Sequence, residues 1–253
     1  MSLGEIILQT QGLTRRFDGL TAVDHVNFAM DDRELRGVIG PNGAGKTTFV
    51  NLLTGRISPT SGRILFRGAD ITRFPIHARA RLGIAYIFQL SNLFPQLTVY
   101  ENVRLAAQSF SNKRGNVFIH HSSLVDVNQK AEEALKTMDL LSYADMKAAE
   151  LSHGLAKRLE VALALAMDAS LLLMDEPTQG LAVKEASETA GLIKQLAKEK
   201  TVLLVEHDLN VVMRIADRIS VFHEGRIIAE GPPAEITANE TVRNVYLGTF
   251  KGP

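Results

Sequence analysis

The chain contains no cysteine in 253 residues, which excludes disulfides and thiolate-ligated metals. It has no excess of either charge, since Lys plus Arg and Asp plus Glu each number 28. Broad nucleic-acid binding rests on surplus positive charge, so no nucleic-acid partner is expected. Long hydrophobic runs are missing as well. The longest apolar stretches, at 161–167 and 169–174, are interrupted by Asp168 and Ser170. Neither approaches the roughly 20 residues that a bilayer-spanning helix needs. The opening MSLGEIILQT has no basic stretch ahead of an apolar core, so no secretory signal is read there. Internal repeats and low-complexity tracts are also lacking. What remains is a neutral globular chain, long enough for one large domain or two lobes. It is expected to stay in the cytoplasm unless something else holds it to a membrane.

What is present begins with Gly40-Pro41-Asn42-Gly43-Ala44-Gly45-Lys46-Thr47-Thr48, which fits the phosphate-binding pattern G-x-x-x-x-G-K-[ST]. Gly43 and Gly45 let the backbone curl around a polyphosphate so that successive N–H groups point inward. The helix expected to start near Gly45 adds the positive end of its dipole. Lys46 supplies a point charge for the outer phosphates, and the Thr47 hydroxyl can ligate a magnesium ion. The setting agrees: residues 36–39 read as a buried strand entering the glycines. Phe49, Val50, Leu52 and Leu53 then give a helix its apolar side, and Gly55 caps it. A bare strand-to-helix turn would have no need of Lys46 and Thr47.

A second run, Leu171-Leu172-Leu173-Met174-Asp175-Glu176-Pro177, describes a buried strand delivering two carboxylates at its C-terminal end. Ligands of open parallel sheets collect at that end. Asp175 is placed to hold Mg²⁺, directly or through water, and Glu176 to polarise a water attacking the γ-phosphate of a nucleoside triphosphate. His120 and His121, with Asp139 and Asp145, lack the spacing of a metal site.

Strand-like alternation marks 6–8, 23–30 and 35–39, and further strands are expected at 63–66 and 83–88. The apolar spacing then turns helical at 99–110, 125–140 and 151–167, with a polar connection at 112–123. Strands return at 171–174 and 202–205, alternating with helices at 183–197 and 208–215. A hairpin pairs 219–222 with 226–229 across His223-Glu224-Gly225, and two short helices close the chain within 232–247. The pattern is one α/β core interrupted by a helical insert of about sixty residues.

With both motifs in place, nearly the whole chain resembles the ATP-binding cassette (ABC) ATPases. That resemblance implies an α/β P-loop NTPase core, an N-terminal antiparallel β subdomain and an inserted helical subdomain. Residues 1–90 and 156–253 would form the core with its β part, and 91–155 the helical part. Leu151-Ser152-His153-Gly154-Leu155 occupies the place of the family signature, close to LSGGQ. Ser152 is a good N-cap there, and the resemblance implies that Ser152 and Gly154 bind the ATP held by a facing subunit. It also makes Gln89 a sensor of Mg²⁺ and γ-phosphate, His207 the switch histidine on that phosphate, and Phe17 the aromatic that stacks on adenine. His153, Leu155 and Ala182 depart from the family pattern, which bears on rate and coupling more than on activity.

One branch fits best. The segments LGIAYIFQLSNLFPQLTVYENV, LSHG followed by RLEVALALA, and ITANETVRNVYLG are similar to ATP-binding subunits of branched-chain amino-acid uptake transporters. Such subunits work with two membrane permeases, a periplasmic binding protein and usually a paralogous ATPase. Residues 90–110 would form much of the permease-docking surface. The branch often has Arg-Thr-Phe-Gln where this chain has Tyr86-Ile87-Phe88-Gln89, a departure expected at that surface. Urea and amide importers belong to the same branch. Residues 75–81 also resemble the lipopolysaccharide-export ATPase, and a soluble cassette protein acting on DNA or ribosomes is the more remote alternative.

Overall fold

The computed structural model describes residues 5–87, 93–110 and 122–246. The chain opens with a long hairpin, β1 (Ile6–Phe17) and β2 (Leu20–Asp31), then enters β3 (Leu35–Ile39). Helix α1 (Lys46–Thr54) follows the glycine-rich loop, then β4 (Ser61–Phe66), β5 (Ala69–Asp70), α2 (Ile76–Arg81) and β6 (Ile84–Ile87). Three helices come next: α3 (Val99–Phe110), α4 (Ser122–Thr137) and α5 (His153–Ala166). The second half runs β7 (Leu171–Asp175), α6 (Val183–Leu196), β8 (Thr201–Val205), α7 (Leu209–Ile215), β9 (Arg218–His223) and β10 (Arg226–Gly231). It closes with α8 (Pro233–Ala238) and α9 (Glu240–Val245).

Among the described residues these strands make two sheets. One has four strands in the order β2-β1-β4-β5, all antiparallel. The other has six, ordered β10-β9-β3-β8-β7-β6, parallel except for the β9–β10 hairpin. Every residue of β3, β7 and β8 is buried, because the parallel sheet is covered on both faces. Alternation along each strand assigns side chains to two cores. Leu172, Met174, Val202 and Leu204 pack against α3 to α7, whereas Leu171, Leu173, Leu203 and Val205 pack toward α1 and the antiparallel sheet.

Helix α1 buries Phe49 edge-on to Phe28, with ring centroids 5.4 Å apart, and 5.0 Å from Phe222. Its last turn is closed by a side chain from elsewhere. Buried Arg79 of α2 donates to Leu52 O at 2.6 Å, Leu53 O at 2.7 Å, and Phe74 O and Thr72 O at 3.0 Å each. Burial pushes its guanidinium down to about 10.

Sequence periodicity located the major elements and erred in their lengths. Strand β1 continues from Ile6 to Phe17, past Gly12, because register shifts absorb the irregularity. The helix expected over 125–140 instead starts at Ser122 and ends at Thr137, and Asp139 takes a left-handed φ of 55° beyond it. Helix α2 was not anticipated, since six residues are too few for a helical period to declare itself.

Candidate functional site

The strand order places the C-terminal ends of β3, β8 and β7 side by side, with β8 between the other two. The glycine-rich loop leaves β3, Asp175 ends β7 in register with Val205, and His207 follows β8. Residues far apart in sequence therefore surround one cavity of about 590 Å³. Its walls include Asn42 to Thr48, Glu176 and His207. Gly40 and Pro41 enter the loop from outside this wall and contact it through Lys46.

Gly45 shows why the loop sequence is constrained. It has φ 101°, and an added Cβ would lie 2.2 Å from the Ala22 carbonyl oxygen. Both the conformation and the close approach demand glycine. The Lys46 ammonium folds back over the loop, donating to Gly40 O at 2.7 Å and Pro41 O at 3.1 Å. Burial pushes Lys46 down, while the nearby carboxylates of Glu176 and Asp175 oppose that shift. A polyanion in the cavity would favour the charged ammonium in the same sense.

Glu176 holds a left-handed φ of 54°, unusual for a residue with a side chain, and its N–H donates to Val205 O at 2.8 Å. This turn carries its carboxylate from the strand into the cavity, where Oε1 contacts His207 Nε2. Buried Glu206 fixes the pair from behind. Its Oε1 accepts from Thr178 N at 2.9 Å and Thr178 Oγ1 at 2.7 Å, and its Oε2 from His207 N at 3.3 Å. Burial pushes the Glu206 carboxyl up, and the Thr178 hydrogen bonds counter it.

Asp175 is 4% exposed. Its Oδ2 accepts from the Tyr86 hydroxyl at 3.2 Å, and its Oδ1 is buried with no hydrogen-bond partner among the described residues. Burial pushes this carboxyl up, against the lowering effect of the Tyr86 bond. The phenol of Tyr86 is itself pushed up by burial and so remains a donor. A buried carboxylate oxygen without a donor among the described residues, close enough to Lys46 for their charges to interact, is the chemistry a hard divalent cation takes. These residues therefore fit Mg²⁺.

The other expected residues are arranged differently. Phe17 lies outside the cavity wall, which Leu20, Thr21 and Ala22 of β2 supply, and the Arg15 guanidinium is 4.4 Å from its ring centroid. Ser152 does cap α5, its Oγ accepting from Leu155 N at 3.3 Å. Neither Ser152 nor Gly154 reaches the loop cavity of its own chain. Gln89 lies outside the described residues, as do His120 and His121. Tyr86, expected with residues 87–89 at the permease-facing surface, turns its hydroxyl inward to Asp175 because β6 is the neighbour of β7. Sequence reasoning also missed Glu206, Thr178 and the cavity wall from Glu224 and Gly225, whose roles come from strand order alone.

Residues 23–179 match the family described as ABC transporter, and residues 226–250 match a second described as branched-chain amino acid ATP-binding cassette transporter. The chain is 38% identical over 249 residues to the high-affinity branched-chain amino acid transport ATP-binding protein BraF of Pseudomonas aeruginosa, covering 96% of this chain and 98% of that protein. It is 33% identical over 243 residues to the lipopolysaccharide export system ATP-binding protein LptB of Acidithiobacillus ferridurans, covering 96% and 97%. Among solved structures, the ADP conformation of an ATP-binding cassette of an ABC transporter superimposes with a TM-score of 0.84. It is 29% identical, over 96% of this chain and 99% of that one.

Proposed function

The chain belongs to the ABC transporter family, and from that premise we propose that it is the ATP-binding, ATP-hydrolysing subunit of a membrane importer for branched-chain amino acids. The observation that carries the reading is the one cavity gathering the phosphate loop, Lys46, Glu176 and His207 from separate strand ends. The cargo class is supported by the match over 226–250 and by the relative at 38% identity, against 33% for the lipopolysaccharide-export protein.

In this reading the N–H groups of Gly40, Asn42, Gly43, Ala44, Gly45 and Thr48 cradle the phosphates, Pro41, which has no N–H, shapes the loop between them, and Lys46 exchanges its two loop carbonyls for phosphate oxygens. Thr47, Asp175 and Gln89 would hold Mg²⁺, which when bound would neutralise charge on the phosphates. Glu176 accepts the proton of the attacking water, and His207 contacts the γ-phosphate. Phe17 offers adenine the ring face that Arg15 leaves open. Ser152 and Gly154 act on the ATP of a second cassette, because within one chain they stand apart from the loop. Two cassettes therefore pair head to tail, as two copies or as this chain with a paralogue.

Residues 1–90 and 156–253 form the nucleotide-binding core with its β part, and 91–155 the signature lobe. Permease subunits dock on the lobe side, where Phe94 is 58% exposed, and a periplasmic binding protein acts on them from the far side. The chain is peripheral, on the cytoplasmic face of the inner membrane. Among the described residues no helix is long and apolar enough to cross a bilayer.

Lys46→Ala is expected to weaken ATP binding about tenfold to a hundredfold, the worth of a hydrogen bond to a charged group. Calorimetric titration of ATP into the two proteins checks this, and equal affinities would remove Lys46 from the phosphate site. The partner assignment is tested by purifying the tagged chain from gently solubilised native membranes and identifying its companions by mass spectrometry. Two permeases with a second ATPase are expected. Lipid-export permeases and no second ATPase would replace the amino-acid reading with the lipopolysaccharide one.

A further inference from the structure

We propose that Tyr86 is a positioning residue for the Asp175 carboxylate, setting which of its oxygens is offered to the divalent cation. The inference rests on the nucleotide-site reading above. Strands β6 and β7 are parallel neighbours, and Tyr86 pairs in register with Leu173, two residues before Asp175. Residues two apart share a strand face, so the long phenol on that face spans to the next side chain along. Its hydroxyl donates to Oδ2 at 3.2 Å.

The ring has little freedom to leave. It packs against the core that contains Leu171 and Leu173, and the Arg56 guanidinium lies 5.9 Å from its centroid. With Oδ2 anchored, buried Oδ1 is the oxygen without a partner among the described residues. The tether therefore fixes the carboxylate plane and reserves one oxygen for the metal. Phenylalanine at 86 keeps the ring packing and removes the hydroxyl, and with it both the bond to Oδ2 and the interaction with Arg56. Oδ2 then loses its bond and the carboxylate is free to turn.

Loss of such an outer-shell partner costs about 10- to 100-fold in metal affinity. The 3.2 Å separation is long for an O–H···O bond, so the lower figure, about tenfold, is expected here.

The test uses the full chain carrying Glu176→Gln, so that ATP persists, with Mn²⁺ as the probe and its free concentration read by electron paramagnetic resonance. Adding Tyr86→Phe should weaken Mn²⁺ binding to the ATP-loaded protein about tenfold. ATP affinity in excess chelator should stay within about twofold. Unchanged Mn²⁺ affinity would overturn the proposal. So would an equal loss of metal-free ATP binding, which marks a merely structural role. A fluorinated tyrosine at position 86 keeps the donor and should retain parental Mn²⁺ affinity, and a tenfold loss there would also overturn it. If the parent with ATP binds no Mn²⁺ beyond ATP alone, the nucleotide-site reading falls along with the inference.

Discussion

Replacing Glu176 with Gln is expected to slow ATP hydrolysis by about a hundredfold to ten-thousandfold while leaving ATP binding intact, the range lost with a general base. The amide preserves the size and the reach of the side chain into the cavity, where Glu176 meets His207. It removes the lone pair that takes a proton from water, and it removes a negative charge facing the phosphates. Affinity should therefore hold or rise while turnover collapses. The left-handed backbone at Glu176 makes the position hard to replace from a neighbouring residue, since the turn aims this one side chain. Single-turnover hydrolysis and equilibrium binding, measured on the same preparation, separate the two effects. A rate loss below about threefold would show that proton transfer at Glu176 does not limit the reaction.

Arg79→Met is expected to cost about 3 kcal/mol or more of stability, because unsatisfied buried acceptors cost about 1–3 kcal/mol each. Its guanidinium serves the carbonyls of Leu52, Leu53, Thr72 and Phe74 at once. Methionine keeps length and apolar packing but supplies no donor, so the change isolates the hydrogen bonds. For a chain of this size each kcal/mol moves Tm by about 2–4 °C, so a fall of about 6–12 °C should appear in thermal unfolding. Two of the four carbonyls close the helix that begins at Lys46, so ATP should recover part of the loss by binding the folded state. A fall under about 2 °C would mean that water replaces the guanidinium.

The sequence disclosed those parts of the site that are local in the chain. The loop from Gly40 to Thr48 is contiguous, and its glycines, lysine and threonine have a joint meaning that one sequence window contains. Asp175 and Glu176 were readable because four apolar residues and a proline bracket them. His207 and Ser152 were readable only through resemblance, since a lone histidine or N-cap serine has many ordinary uses. Arg79 was illegible for a different reason. Residues 75–81 look like an exposed basic segment, and only the approach of α2 to the end of α1 buries the guanidinium. Tyr86, Glu206 and the Glu224–Gly225 wall were likewise set by which strands became neighbours. No spacing along the chain encodes that order.

This chain hydrolyses ATP to drive branched-chain amino-acid uptake. The most direct test is movement of labelled leucine across vesicles reconstituted with the complex that co-purifies with the tagged chain, with ATP supplied on the cassette side and the binding proteins on the other. ATP-dependent accumulation on the cassette side is expected, abolished when the chain carries Glu176→Gln. No leucine movement, or movement indifferent to ATP and to Glu176, would contradict it.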